Sequence, residues 1–312
     1  MSPAPPRILP RRRPFKAMLD ATVGFIAVSL LRALRWTNRQ RLANLLGRLM
    51  RWAGPWLPEH RIGRANLAAA FPDKSPAEID AILAGVWDNL GRVAAEFAHL
   101  DRLKVLDLEH GDDGSADVFY DRVTNDRFVA VREQGQPTLI FAAHLANWEI
   151  PALAAAAHGL HSNILYRRPN IKAINDAVLQ MRAGCMGTLV PAGLDAPVRL
   201  ADALERGEHV GMLVDQHHVR GVDVVFFGRW VKANPLIAQL ARLTGCPIRG
   251  VRIVRLPDGN RFRGELTEPL TLPRTADGKV DLQGTMQAIT SMIEGWVREH
   301  PEQWLWLHRR WR

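Results

Sequence analysis

From Thr138 onward, short apolar runs alternate with stretches of helical periodicity, and this alternation restricts the possible folds more than any other feature of the chain. The runs are TLIFAAH (138–144), ILY (164–166), TLVPA (188–192) and VGMLVD (210–215). Short, continuously apolar segments are typical of strands that are buried on both faces of a sheet. The helical stretches begin at Asn147 and span 173–186 and 195–206. Strands separated by helices pair in parallel, so the pattern predicts a mostly parallel central sheet flanked by helices.

Two further signals complete the predicted α/β fold. Segments 248–256 and 261–270 flank Pro257-Asp258-Gly259-Asn260, a turn sequence that predicts a hairpin and makes the sheet mixed. A last helix is expected over about 281–300. Ser75-Pro76-Ala77-Glu78 offers an N-cap serine, a proline at the first helical position and an acid at the third, which predicts a helix from there to about Leu100.

The positive charge of the chain is concentrated near its amino terminus. Residues 1–64 contain 13 of the 41 lysines and arginines but two of the 32 acidic residues. The net charge of +9 therefore belongs to this segment, and the rest of the chain is slightly acidic. Such a segment favours an anionic partner: a membrane surface, a nucleic acid or an acidic protein.

The same region contains an apolar run, Ala21–Leu31, which has about half of the roughly 20 residues that a bilayer span needs. Arg32, Arg35 and Trp36 follow it, and arginine interleaved with tryptophan and leucine is typical of a helix in the lipid headgroup layer. We therefore predict a membrane-associated helical segment over residues 16–60, after a disordered basic tail over residues 1–15. A solvated helix docked on the core and a short tilted anchor remain open alternatives.

Composition limits the remaining possibilities. With 312 residues and a hydrophobic fraction of 47%, the chain can fill a sizeable core, and residues 61–312 are predicted to form one α/β domain. The two cysteines, Cys185 and Cys246, exclude a disulfide scaffold and a cysteine-cluster metal site. Adjacent histidines such as His217 and His218 point to opposite faces of a strand, so no metal site is expected.

His144 directly follows the first apolar run, and Glu149 lies five residues later. In α/β sheets, ligands bind beyond the carboxyl ends of the strands, so this position suits a reactive group. Side chains five apart on one helix diverge by about 140°, so these two meet only if His144 lies in the turn and Glu149 in the first helical turn, with Asn147 as the cap. A carboxylate on one imidazole nitrogen makes the other a general base. The alternative is a structural histidine bonded to a neighbouring turn.

Other polar residues occupy the ends of later strands. Arg167 and Arg168 follow one strand, and Asp215 follows another. An arginine here stabilises an oxyanion or holds a phosphate, whereas an aspartate orients the base or holds the arginine. The alternative is a structural arginine–aspartate pair at the edge of the sheet.

Taken in order, six segments resemble the late acyltransferases of lipid A biosynthesis, the lauroyl/myristoyl family of Gram-negative bacteria. They are RANLAAAFPDKS (64–75), HLANWE (144–149), ILYRRPN (164–170), LVDQHH with GVDVVFFGR (213–229), ARLTGCPI (241–248) and PEQWLWLHRRWR (301–312). The resemblance covers about residues 20–312. The chain departs from the family at Val214, where a proline is usual, and at His217, where a further acid is common.

This resemblance implies an acyltransferase that moves a fatty acyl group from acyl carrier protein to a hydroxyl of a lipid A precursor at the cytoplasmic face of the bacterial inner membrane. It implies that His144 is the general base and that Glu149 holds it. Arg168, the arginine next to Pro169, and Asp215 would support the site by charge or by an alternative pairing with the histidine. No cofactor is implied, and the acidic carrier protein would dock on a basic surface.

The carboxyl-terminal Arg309 and Arg310 lie beside several tryptophans, which suits either contact with lipid headgroups or a packed chain end. Two other functions remain open: a related acyltransferase acting on another glycolipid or glycerolipid, and a basic nucleic-acid-binding protein. No helix-turn-helix, zinc-finger or RNA-binding motif is visible, and the apolar run Ala21–Leu31 argues against a nucleic-acid partner.

Overall fold

The computed structural model describes residues 14–106 and 114–311 of the chain. The helices of this part are α1 (Pro14–Leu34), α2 (Arg39–Ala53), α3 (Pro58–Ala70), α4 (Pro76–Phe97), α5 (Arg122–Gln134), α6 (Ile150–Ala157), α7 (Lys172–Ala183), α8 (Ala196–Glu205), α9 (Leu236–Thr244) and α10 (Leu282–Glu299). The strands are β1 (Val118–Tyr120), β2 (Leu139–Ala142), β3 (Ser162–Tyr166), β4 (Thr188–Pro191), β5 (His209–Leu213), β6 (Val222–Phe226), β7 (Arg229–Ala233), β8 (Ile248–Arg255) and β9 (Phe262–Leu266).

Seven strands form one central sheet in the order β1-β9-β8-β2-β5-β3-β4. All neighbours in this sheet are parallel except β8 and β9, which form the hairpin expected around Pro257–Asn260. The prediction of a mixed, mostly parallel sheet flanked by helices is therefore confirmed. β6 and β7 form a separate antiparallel hairpin, which Gln287 of α10 holds through the backbone N–H and C=O of Val225.

Alternating side chains of the central strands enter two hydrophobic layers. In β2, Leu139 and Phe141 belong to the layer that includes α8, α9 and α10, whereas Ala142 belongs to the layer that includes α5 and α6. Both faces of the strand are thus covered, which explains why its sequence is continuously apolar. The carboxyl ends of the parallel strands meet at one edge between these layers.

The helix expected after Ser75 begins where its capping residues place it. The Ser75 hydroxyl accepts a hydrogen bond from the backbone N–H of Glu78, whose carboxylate accepts one from the backbone N–H of Ser75. Pro76 occupies the first turn, where its missing N–H costs nothing. The helix ends at Phe97, three residues before the expected end at Leu100.

At the amino terminus, the structure divides the predicted helical segment over residues 16–60 into α1, α2 and the start of α3. Asn38 begins α2 by accepting a hydrogen bond from the backbone N–H of Arg41. Arg35 forms an ion pair with Asp101 at 2.6 Å, which attaches this junction to the rest of the molecule. The predicted tail over residues 1–15 lies mostly outside the described residues. In the described part of the chain, no helix combines the length and apolarity needed to cross a membrane.

Candidate active site

The sheet register brings His144 and Asp215 together. β2 and β5 are parallel neighbours, and Ala142 of β2 is paired with Leu213 of β5. His144 and Asp215 each follow two residues after this pair, so both side chains emerge at the same edge of the sheet. Two residues that the sequence placed at separate strand ends thus become neighbours.

Asp215 holds His144 through two hydrogen bonds. The ring Nδ1 lies 2.8 Å from Oδ1 of Asp215, and the backbone N–H of His144 donates to Oδ2 at 2.9 Å. The indole N–H of Trp304 also donates to Oδ2, at 2.8 Å. Burial alone would raise the pKa of the Asp215 carboxyl, but its interactions with His144 outweigh burial and hold the pKa well below its usual range. An ionised Asp215 accepts a hydrogen bond from Nδ1–H of His144, so the lone pair of the ring lies on Nε2.

Nε2 of His144 has a neighbour of its own. The side-chain amide of Gln216 lies with its Nε2 at 3.2 Å from this ring nitrogen. Since the ring Nδ1 carries the proton, Gln216 is the donor in this contact and His144 the acceptor. His144, Gln216 and Glu149 all line one cavity.

Glu149 is not the hydrogen-bonding partner of His144, which corrects the pairing expected from their spacing. Its carboxylate forms an ion pair with Arg182 at the end of α7. Glu149 is the last residue before α6, and its backbone N–H donates to the side-chain oxygen of Asn147 at 3.1 Å. The carboxylate is therefore committed to the guanidinium, while Asp215 occupies the position beside the imidazole.

The turn that carries His144 is held by the carboxyl-terminal segment. Ala146 adopts a φ of +47°, a conformation that is unfavourable for a residue with a Cβ, and it is fully buried. Its backbone N–H donates to the carbonyl of Gln303, and Asn89 donates to its carbonyl. The backbone N–H of Leu305 donates to the carbonyl of His144. These bonds fix the strand-to-helix turn and hence the direction of the His144 side chain.

A cavity of about 560 Å³ extends from His144 along one face of the sheet. Its apolar walls come from alternate residues of the central strands, among them Ile140, Ile164 and Leu213, and from Ala152 and Ala155 of α6. The alanines leave room between the helix and the sheet because they lack long side chains. The cavity is therefore polar at the His144 end and apolar along its sheet-facing wall.

The structure separates the two candidate arginines. Both are exposed, but Arg167 lines the cavity, whereas Arg168, which the sequence favoured, does not belong to the lining. Because it lines the same cavity as His144, Arg167 is the better candidate for the supporting role.

Residues expected at lipid headgroups fall into two groups. Arg32, Trp36 and Arg309 are exposed, and Arg35 is partly exposed in its ion pair with Asp101. Arg310 differs from the expectation, because it is 1% exposed and donates to the carbonyl of Lys232. Burial lowers the pKa of Arg310 to about 10. It therefore serves the packing of the chain end and is not available to a headgroup.

A comparison with protein-family models shows the family to which the chain belongs. Residues 10–312 match the model of the bacterial lipid A biosynthesis acyltransferases. The chain belongs to this family. It is therefore an acyltransferase of lipid A and lipopolysaccharide biosynthesis, with a lipid A-type acceptor. A search of curated proteins found no match.

Sequence reasoning missed three residues at the site of the acyltransferase. Trp304 and Gln216 belong to segments that carry the family resemblance, and each has an N–H that contacts the Asp215–His144 pair. The position of Gln216, an amide hydrogen-bond donor directly after the strand-end Asp215, could have indicated that it belongs to the site. Arg182 lies 33 residues from Glu149, and nothing in the sequence indicated that contact.

Proposed function

We propose that the acyltransferase moves a fatty acyl group from acyl carrier protein to a hydroxyl of a lipid A precursor, with His144 as the general base and Asp215 as the residue that orients it. The observation that carries this proposal is the His144–Asp215 pair at the polar end of a cavity with an apolar wall. A base beside an apolar cleft suits the transfer of a hydrocarbon chain, because the cleft binds the chain while the base activates the acceptor.

In this mechanism the acceptor hydroxyl gives its proton to Nε2 of His144 as its oxygen attacks the carbonyl carbon of the donor thioester. The carbon–sulfur bond then breaks, and the departing thiolate takes the proton from His144. Ionised Asp215 stabilises the imidazolium that exists between these two proton transfers. Arg167, which lines the same cavity, supplies positive charge to the oxyanion that develops on the thioester carbonyl.

The cavity suits the acyl chain of the donor. Ile140, Ile164 and Leu213 offer their side chains along one sheet face, and Met186 lines the cavity with them. A volume of about 560 Å³ lies within the range of roughly 300–1,000 Å³ typical of small-molecule sites. The chain lies along this wall in the proposal, with its thioester carbonyl at the His144 end.

Replacing the base tests the mechanism. We expect His144→Ala to reduce acyl transfer by about 10²–10⁴-fold, the usual contribution of general base catalysis. Purified enzyme is given acyl carrier protein loaded with a fatty acid and a lipid A precursor, and the acylated product is measured by mass spectrometry. His161→Ala is the matched control, because His161 is exposed and lies outside the cavity of His144. Retained transfer by His144→Ala refutes the mechanism.

The same assay tests the acceptor. We propose a lipid A precursor because of the family, and a glycerolipid is the alternative within the same chemistry. Product mass distinguishes them when a lipid A precursor and a lysophospholipid compete for one donor. Preference for the lysophospholipid would leave the base in place but contradict the acceptor.

We also propose that α1 and α2 rest on the cytoplasmic face of the inner membrane. In α2, Leu45, Leu49 and Trp52 form an exposed apolar stripe, and Arg41 and Arg48 are exposed beside it. Apolar side chains enter the acyl boundary while arginines contact anionic headgroups, which together give stable interfacial binding. Binding through this surface would keep the enzyme, and with it the cavity, at the membrane that contains the lipid acceptor.

A further inference from the structure

The reactive nitrogen of the proposed base, Nε2 of His144, already accepts a hydrogen bond from the side chain of Gln216. Gln216 lies directly after Asp215 and is exposed, and the bond from its amide to Nε2 of His144, at 3.2 Å, is the one hydrogen bond of its side chain within residues 14–106 and 114–311. A side chain with a single exposed bond can rotate away at little cost. Gln216 is thus held at the reactive atom and not in the surrounding structure.

A neutral imidazole has one lone pair, and here it lies on Nε2 because Nδ1 donates to Asp215. The acceptor hydroxyl needs this lone pair in order to lose its proton. A water molecule needs the same lone pair in order to attack the thioester. The acceptor hydroxyl or the water molecule therefore has to displace the Gln216 amide before His144 can take its proton.

We propose that Gln216 is a specificity-determining residue, which keeps His144 from activating water while a donor is bound and yields to the acceptor hydroxyl. This inference rests on the proposed function of His144. A lipid acceptor brings binding energy from its remote parts, which offsets the loss of the Gln216 hydrogen bond. Water has no such contacts, and it competes with an amide that is tethered beside the ring and so has a high effective concentration.

The reaction that Gln216 suppresses is hydrolysis of the donor. Water would give one proton to Nε2 of His144 while its oxygen bonds to the thioester carbonyl carbon. The carbon–sulfur bond would break, and the sulfur would receive the proton from His144. The products would be a free fatty acid and the carrier thiol, with no other reactant.

Gln216→Met tests the inference, because methionine keeps the length of the side chain and removes its amide. Acyl carrier protein loaded with a fatty acid is incubated with each enzyme, once without acceptor and once with saturating lipid A precursor. We expect the variant to hydrolyse the donor about three- to tenfold faster without acceptor, which is the range that one net hydrogen bond spans. At saturating acceptor, the ratio of donor hydrolysis to acyl transfer should rise by the same factor, because the bound acceptor displaces the amide and water does not. Val219→Ala, an exposed change in the same segment, should alter neither rate.

A second measurement tests how accessible the unprotonated Nε2 of His144 is to a chemical reagent. Diethyl pyrocarbonate acylates an unprotonated imidazole nitrogen, and peptide mass spectrometry measures the modification of His144. We expect Gln216→Met to speed this modification by a similar factor, while His161 reacts as in the wild type.

The results for the two variants together separate the possibilities. Unchanged donor hydrolysis and unchanged modification of His144 would overturn the inference. An equal fall in hydrolysis and transfer would also overturn it, because Gln216 would then position the substrates. If Gln216→Met matches the wild type while His144→Ala is inactive, this inference fails alone; if His144→Ala keeps transfer, the proposed function fails.

Discussion

At the scale of single residues, Asp215 is the group on which the geometry of the proposed base, His144, depends. It is 3% exposed and accepts hydrogen bonds from the backbone and the ring of His144 and from the indole of Trp304. A buried carboxylate needs such donors, because an unpaired charge in the interior is costly. The same bonds fix the ring orientation and the tautomer. Trp304 is thus a positioning residue, which acts on His144 through Asp215.

Substitutions of the two carboxylates, Asp215 and Glu149, should affect catalysis and stability differently. We expect Asp215→Asn to reduce kcat by about 10²–10⁴-fold, because asparagine neither fixes the Nδ1 proton nor stabilises the imidazolium. Glu149→Gln should reduce kcat by less than about tenfold. It should lower the free energy of unfolding by about 1–3 kcal/mol, because Arg182 loses its charged partner in a part-buried pair. Product mass spectrometry measures kcat, and denaturant unfolding measures stability.

The reverse pattern would contradict this assignment. If Glu149→Gln eliminates transfer while Asp215→Asn leaves it intact, Glu149 is the functional partner of the histidine. Circular dichroism of each variant shows whether a loss of activity reflects loss of the fold.

The sequence predicts the position of some site residues but not the contacts between them. His144 and Asp215 were predictable as strand-end residues, because carboxyl ends of parallel strands share one edge. Their contact was not, since it depends on the strand order β2–β5 and on the register Ala142–Leu213. The spacing of Glu149 permitted a contact with His144, but Arg182 competes for its carboxylate and no local pattern reveals that.

At the scale of elements, the sequence predicted the strands that are continuously apolar and missed the β6–β7 hairpin. Its turn consists of Phe227 and Gly228, with φ angles of +51° and +67°. Tight hairpins of this kind favour asparagine or glycine at the first position, so a phenylalanine conceals the turn. Burial of the Phe227 ring and a bond from its backbone N–H to Glu294 stabilise the unusual conformation. Tertiary contacts thus override the local preference.

The packing of α2 on α4 gives an element-scale prediction. A Cβ added at Gly91 of α4 would lie 2.3 Å from the carbonyl oxygen of Leu46 in α2, and a backbone atom cannot move aside as a side chain can. We expect Gly91→Ala to lower the free energy of unfolding by about 1–3 kcal/mol. Gly295→Ala in α10 is the matched control, because nothing lies within 4 Å of its added Cβ.

The control should raise stability by about 0.5–1 kcal/mol, since alanine restricts the unfolded chain and favours a helix. Denaturant unfolding of both variants measures the difference. Equal stability changes in the two variants would show that α2 and α4 do not approach as closely as the structure has them.

At the scale of the whole molecule, charge and apolar exposure coincide at one end of the chain. Of the eighteen large apolar side chains that are exposed among the described residues, twelve lie between Met18 and Leu57. This segment also carries six arginines and one acidic residue, Asp20. A soluble surface rarely concentrates apolar groups in this way. The proposed lipid partner accommodates both properties, because lipid headgroups are anionic and lipid chains are apolar.

Membrane binding should therefore depend on α2 and on salt. We expect Leu45→Ser, Leu49→Ser and Trp52→Ser together to weaken sedimentation with anionic vesicles by more than about tenfold, because three apolar groups no longer enter the bilayer. Val123→Ser with Leu243→Ser, which removes exposed apolar groups from α5 and α9, should bind as the wild type does. Binding of the wild type should fall with salt and on zwitterionic vesicles, since screening weakens the contacts of arginine with phosphate. Equal binding by both variant sets would place the lipid contact elsewhere on the molecule, and the arginines of α2 would then be a solvated face.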